Sequence, residues 1–214
     1  SDTKIFYLPS ISKRLPDFLS SNPSLLSISS FFASTNCFRL LFSLDSKADA
    51  KDQNGRISIH FAAAGGSLEI LRELDQHFQI SENADESTRV TNDIYNYRDS
   101  SNQTPMHYAA QFGRLNIIKY LYLKGAELDL HRDNENRRPI HLACLYGHVE
   151  VVRFFVENGV PLIDKDSMHP IHYACIGGDV ATIEYLISQK VDLNVMYCSN
   201  PPIFYAAKFG SLSA

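Results

Sequence analysis

The chain is poor in the residues and patterns that mark several large classes of protein. Its 214 residues contain no tryptophan and four scattered cysteines, and the formal net charge is −4. So few cysteines argue against a disulfide framework and predict a reducing, intracellular compartment, which we expect to be the cytoplasm. The weak net charge gives no general attraction to nucleic acid. Apolar runs are short and broken by charge, so we expect neither a nucleic-acid partner nor insertion into a membrane.

The chain also lacks the short motifs of common enzyme chemistry. It contains no glycine-rich phosphate loop, no Gly-x-Ser-x-Gly nucleophile elbow and no His-Glu-x-x-His zinc motif. Its carboxylates are scattered rather than paired. The sequence therefore predicts a protein that is not an enzyme, with no cofactor, no metal and no small-molecule substrate.

What the chain does contain is one short pattern that returns five times. The copies begin at Ser58, Pro105, Pro139, Pro170 and Pro202, and most of them read Pro-x-His-Tyr/Leu-Ala. Their third residues are His60, His107, His141, His172 and Phe204, so the steps are 47, 34, 31 and 32 residues. A step of about 33 residues is typical of stacked helical repeats, which present a surface rather than a pocket.

The most regular copy, residues 99–126, reads DSSNQTPMHYAAQFGRLNIIKYLYLKGA. It resembles the ankyrin repeat, whose pattern is D-x-x-G-x-T-P-L-H-x-A-A-x-x-G-H-x-E-I-V-x-L-L-L-x-x-G-A. Five copies match this pattern in register between residues 52 and 214, and a weaker copy precedes them. The resemblance implies an all-α solenoid of about six helix-turn-helix units, with a degenerate N-terminal cap and a truncated last repeat.

We divide the chain into an N-terminal capping segment, residues 1–26, and a repeat array, residues 27–214. The expected units are 27–51, 52–98, 99–132, 133–163, 164–195 and the partial unit 196–214. The long first step predicts an acidic insertion at about residues 77–96, either a protruding loop or a short extra helical turn. Because the last unit shows no second helix, we expect the natural protein to continue past Ala214.

Two residue types that recur once per unit are predicted to be architectural. The histidines lie one repeat apart, so they cannot converge on a single metal ion. In ankyrin repeats this imidazole bonds to backbone groups of neighbouring turns, and the resemblance implies the same role for His60, His107, His141 and His172. A glycine ends each first helix and is expected to supply the left-handed residue there. These glycines are Gly66, Gly113, Gly147 and Gly178.

A cysteine nucleophile is the main catalytic alternative. Cys144 follows His141 by three residues, and Cys175 follows His172 in the same way, which places each pair on one helix face. The same pairs arise from the repeat pattern itself, so we expect both thiols to be buried and unactivated. Cys37 falls on the apolar face of a predicted helix.

The positions that the repeat leaves free are the candidate binding residues. In ankyrin repeats the turn tips and the last two residues of the first helix line a concave face. By that resemblance, the partner-binding residues predicted here are Gln111, Phe112, Leu145, Tyr146, Ile176, Phe209, Arg137 and Lys165. The apolar members would form an exposed stripe that contacts a partner, or they would pack on neighbouring side chains or, for Phe209, on a further repeat.

Arg137 and Lys165 belong to a modest positive cluster at the turn tips, together with Arg132, Arg138 and His169. Such a cluster favours an acidic partner, or it is only a solvated face. We predict a noncatalytic interaction scaffold that binds a partner protein or peptide in a concave groove. The alternative is a regulatory or targeting segment of a longer enzyme or channel whose active domain lies outside this chain.

Overall fold

The computed structural model describes residues 21–44, 47–82, 94–164 and 167–210. Residues 1–20 of the predicted N-terminal capping segment, residues 83–93 of the insertion and the last four residues lie outside this described part. Lys165, one of the predicted binding residues, lies outside it as well.

Eleven α-helices occupy the described residues and alternate between two rows. The inner row contains α1 (Leu25–Phe31), α3 (Ser58–Gly65), α5 (Pro105–Gln111), α7 (Pro139–Leu145), α9 (Pro170–Gly177) and α11 (Pro202–Phe209). The outer row contains α2 (Thr35–Ser43), α4 (Leu68–Glu82), α6 (Leu115–Leu123), α8 (Val149–Glu157) and α10 (Val180–Ser188). Each of the first five inner helices packs on the next inner helix and on the outer helix of its own unit, and successive outer helices also pack on one another. The predicted all-α solenoid is confirmed.

Four of the six inner helices begin with proline, and a residue in the left-handed conformation follows the end of each inner helix. Pro105, Pro139, Pro170 and Pro202 occupy the first turn, where a missing N–H leaves no hydrogen bond unmade. These helices lie between two neighbours, so most of their surface is covered. In α7 every residue from Pro139 to Cys144 is buried.

The outer helices are amphipathic because only one of their faces meets the inner row. In α8, Val151, Val152 and Phe155 are buried, while Arg153 and Glu157 are exposed. This spacing puts the apolar residues on one stripe of the helix. Among the residues that the structure describes, no helix has both the length and the apolar character needed to cross a lipid bilayer.

The turn tips between units are held by buried aspartates. The Oδ1 atom of Asp99 accepts hydrogen bonds from the backbone N–H groups of Ser101 and Gln103, both at 2.8 Å. Asp52 and Asp133 make the equivalent pairs of bonds in their own tips. Backbone bonds then join successive tips, for example from the Ser100 N–H to the Asn54 carbonyl at 2.9 Å. The row of tips is therefore a stiff edge.

Part of the extra length between the first two copies of the pattern is helical. Helix α4 has 15 residues, whereas α6, α8 and α10 have 9 each. The buried carboxylate of Asp75 in α4 lies 2.6 Å from the Lys124 ammonium and accepts a hydrogen bond from the Tyr120 hydroxyl at 2.8 Å. It also accepts one from the hydroxyl of Tyr95, near the end of the predicted insertion. Burial acts to raise the pKa of Asp75, but these donors outweigh it and the pKa is lowered.

Candidate partner-binding surface

The repeated histidines are the third residues of the inner helices, and each satisfies the start of its own helix. The Nδ1 atom accepts the backbone N–H of the residue three positions earlier, at 3.2 Å in His60, His107 and His172 and 3.0 Å in His141. This acceptor satisfies a backbone N–H group at the helix start, as the side chain of an N-cap residue does in most helices. Because Nδ1 accepts, the neutral ring carries its proton on Nε2.

In two of the four histidines the Nε2–H group also reaches a backbone carbonyl at or just before the following turn tip. It donates to the Tyr97 carbonyl from His60, at 3.1 Å, and to the Arg137 carbonyl from His107, at 3.2 Å. Burial lowers the pKa of both imidazoles to about 4, so both are neutral at pH 7. In His141 the Nε2 atom lies 3.6 Å from the Asp164 carboxylate, and no hydrogen bond forms.

None of these imidazoles is part of a metal site in the described structure. Each is enclosed in a different unit, and no group of three or more His, Cys, Asp or Glu side chains among the described residues is arranged to hold a metal ion. The buried thiols give no nucleophile either, because burial raises the pKa of Cys144 and of Cys175 and keeps them protonated. Cys37 differs from its prediction: its side chain is exposed, since α2 turns that face toward solvent.

The glycines that end the inner helices have two reasons to be glycine. Gly66, Gly113, Gly147 and Gly178 have φ values of 88, 67, 71 and 74°, in the left-handed region that favours glycine. A side chain of the next unit also fills the space beside three of them. A Cβ atom on Gly113 would lie 2.6 Å from Nδ1 of His148, whose Nε2 reaches the Gln111 carbonyl at 2.9 Å.

The residue before each of these left-handed positions lies at the end of an inner helix, where the predicted stripe was placed. Tyr146 and Phe209 are 51% and 56% exposed. Gln111 and Phe112 are half-buried. Leu145 and Ile176 are half-buried too and pack against the core, so the stripe is less continuous than the sequence predicted. The unit between those of Tyr146 and Phe209 has Gly177 at this position, so the predicted stripe is interrupted there.

Sequence reasoning missed two aromatic residues of the first described unit. Phe32 is 55% exposed, and its ring meets the ring of Phe31 edge to face at 5.2 Å. Phe31 in turn meets Phe112 edge to face at 6.0 Å. This contact between Phe31 and Phe112 reaches across the second unit, where Gly65 occupies the position equivalent to Phe112. A Cβ atom on Gly65 would lie 2.3 Å from the Phe31 carbonyl oxygen.

The signal for Phe32 was present in the repeat register. Phe32 precedes Ala33, which has φ of 53° and takes the place of the unit glycine. Phe112, Tyr146 and Phe209 precede their own glycines in the same way. An aromatic ring thus stands at one register position in four units. We call Phe32, Phe112, Tyr146 and Phe209 the aromatic row.

The predicted positive cluster at the turn tips is largely neutralised by carboxylates. Arg137 pairs with Asp133 and with Glu135, both at 2.8 Å. Burial acts to raise the pKa of Asp133, but the hydrogen bonds from Arg137 hold it below its usual value. Arg132 makes a two-pronged contact with Asp164, at 2.9 and 3.0 Å.

Arg138 is not a surface residue. Its side chain is buried, lies 3.0 Å from the Asp164 carboxylate and also pairs with Asp129. The guanidinium groups of Arg132, Arg137 and Arg138 are therefore paired with carboxylates of the chain itself, which the one-dimensional pattern could not indicate.

Two comparisons with known proteins agree with this architecture. A family model for ankyrin repeats, in three copies, matches residues 26–132, 79–168 and 122–197. The crystal structure of the human ASB11 ankyrin repeat domain is similar with a TM-score of 0.68 and 20% sequence identity. The similarity covers 86% of this chain and 77% of that chain, and at this identity it shows the fold alone. A search of curated protein sequences gives no significant match.

Proposed function

The chain belongs to the ankyrin-repeat family, and from that premise we propose that it is a noncatalytic module that binds a partner protein along the aromatic row. Ankyrin repeats generally mediate protein–protein interaction. The finer claim concerns the place of binding, which we assign to the groove between the turn tips and the ends of the inner helices. This groove would hold a peptide or a protein surface.

The observation that carries the proposal is the exposure of large aromatic side chains at one register position. Phe32, Tyr146 and Phe209 each leave more than half of their surface to solvent. Exposed aromatic residues are over-represented among the contacts that dominate binding energy. The inner helices themselves are closely packed, so the exposure is not a failure of the core.

The stiffness of the frame supports the same proposal. Asp99 and its equivalents fix the tips, and backbone bonds join the tips that begin at Asp52, Asp99 and Asp133. A surface that is already ordered loses little conformational entropy when a partner binds. A preference for an acidic partner stays a prediction, and the ion pairs of Arg137 give it little support.

A site-specific photo-cross-linking experiment tests the place of binding. A benzophenone amino acid would replace Tyr146 in one protein and the exposed Leu123 of the outer helix α6 in another, and each would be irradiated in an extract of the source cells. We expect a defined adduct from position 146 and none from position 123. The partner identified in this way is then titrated against the Phe32→Ala/Tyr146→Ala protein.

Removal of two exposed rings should weaken that partner's affinity by at least about tenfold, the effect of roughly 1.4 kcal/mol. The matched control is Leu40→Ala on the outer helix α2, which removes an exposed apolar side chain away from the groove. Equal cross-linking from both positions, or equal affinity of the double variant and the control, would contradict the proposal.

A further inference from the structure

A second surface lies on the opposite side of the units, where each outer helix returns to the next turn tip. The return differs in length between units: Asp133 follows Gly125 by eight positions, whereas Asp164 follows Gly159 by only five. A short return leaves space between its own loop and the loop of the next unit. A groove of about 610 Å³ lies there. Its walls are mainly apolar, formed by Val156, Val160, Leu162, Ile171, Val191 and Val195.

A smaller groove of about 420 Å³ lies at the preceding junction, beside Tyr122, Leu128 and Leu130. The two grooves have Gly159 and Val160 in common, so they adjoin each other across three successive units. We call them together the loop-edge channel. It does not include any residue of the aromatic row.

Two large apolar side chains on the rim of this channel face solvent. Leu130 is 67% exposed and Ile163 is 70% exposed. Neither is needed to close the core, and each stands beside one of the two grooves. Adjacent exposed apolar groups next to an apolar groove are a common mark of an interaction surface.

Three of the four described Asp, Glu, Lys and Arg residues that line the channel are acidic, and its other polar lining residues are Asn158, His169 and Gln189. Glu127 and Asp129 line the smaller groove, and Asp192 lines the larger one. Lys190 is the only lysine or arginine among the described lining residues. Asp129 already pairs with Arg138, whereas Glu127 and Asp192 have exposed side chains. The charge of the channel therefore complements a basic ligand.

The spacing of the grooves favours a helical ligand over an extended one. Successive units are about 10 Å apart, the usual distance between packed helices. Residues seven positions apart on an α-helix lie on nearly the same face and are about 10.5 Å apart. Side chains on one face of an extended strand repeat at about 6.6 Å, which does not match.

We propose that the loop-edge channel binds a basic amphipathic helix of a partner protein, with large apolar side chains seven residues apart that enter the two grooves. The helix would span about 20 Å, or about 14 residues. This inference is independent of the aromatic row, and either surface could bind a partner without the other.

A displayed library of random 16-residue peptides is the direct probe. The library is selected on the wild-type chain and then divided by whether each peptide still binds the Leu130→Lys/Ile163→Lys protein. Both substituted residues are exposed, so the folded state should be kept, and thermal unfolding of the variant checks this. Leu123→Lys is the matched control, because Leu123 is exposed on α6 but lines neither groove.

We expect the peptides that depend on the channel to carry apolar residues at positions i and i+7 and an excess of lysine and arginine. Their synthetic versions should bind the double variant at least about tenfold more weakly and the Leu123→Lys protein unchanged. Channel-dependent peptides that are acidic, or that have the alternation of a strand, would overturn the proposal. A library in which no peptide distinguishes wild type from the double variant would overturn it as well.

The charge argument has its own test. Glu127→Gln and Asp192→Asn together remove two carboxylates and keep the side-chain shapes. The selected peptides should bind this protein several-fold more weakly at low salt, and the difference should shrink as salt is raised. An affinity that does not change would show that the acidic residues do not contribute to recognition.

Discussion

The buried imidazole of His107 offers the sharpest test of how one unit is fastened to the next. Its Nδ1 atom accepts the Thr104 N–H, and its Nε2–H donates to the Arg137 carbonyl of the following unit, both at 3.2 Å. His107→Ala removes both bonds and leaves the buried Thr104 N–H without this acceptor, whereas the Arg137 carbonyl still accepts the Asp133 N–H at 2.9 Å. His107→Asn keeps an acceptor close to the position of Nδ1 but cannot reach Arg137.

The magnitudes follow from these contacts. A buried polar group left without a partner costs about 1–3 kcal/mol. One such group, the lost bond to the Arg137 carbonyl and the empty ring site together give about 3–5 kcal/mol for the alanine variant. The asparagine variant should recover about 1–2 kcal/mol of this, because the Thr104 N–H stays bonded.

Urea unfolding followed by far-ultraviolet circular dichroism measures both variants against wild type. In a chain of this length we expect the alanine variant to melt roughly 10 °C lower. Amide hydrogen exchange at Thr104 adds a local measurement: it should be slow in wild type and in His107→Asn, and fast in His107→Ala. If the two variants were equally stable, or if neither were destabilised, the role assigned to the two nitrogen atoms would be wrong.

Two further predictions concern pH and glycine. Burial lowers the pKa of His60 and His107 from 6.5 to about 4, so the unfolded chain binds more protons between these values. The free energy of unfolding should therefore be highest above about pH 6.5 and should fall as the pH drops toward 4. His107→Asn should make this dependence on pH less steep in urea titrations. Gly113→Ala, where a Cβ atom would meet the His148 ring at 2.6 Å, should cost about 2–3 kcal/mol. Gly125→Ala has φ of 92° but open space and should cost only about 1 kcal/mol in the same assay; equal losses would show that the contact with His148 is unimportant.

Much of the fold could be predicted because the information is local and repeated. Pro139 at a helix start, Gly147 after a helix end and His141 two residues after the proline all act within one turn of their own position. The same register in several units reinforces each assignment. The insertion was less certain, because a polar segment without periodicity does not distinguish a loop from a longer helix, and α4 extends to Glu82.

The candidate site was predicted less completely, because exposure depends on neighbours from other units. Leu145 and Ile176 occupy positions equivalent to Gln111 but pack against the core. Phe32 was missed because its unit has an alanine in place of the glycine. Arg137 looked like a free positive charge until Asp133 and Glu135 were found beside it.

The sequence alone determined that this protein is a stack of two-helix units, since helix starts, helix ends and apolar stripes are set by short-range sterics and hydrogen bonds. The tertiary structure alone decided which side chains remain available to a partner. Tyr146 is exposed and Arg138 is buried because of where the next unit's backbone and carboxylates lie. The loop-edge channel likewise exists only because a short return in one unit adjoins the return of another, a contact between segments about 30 residues apart.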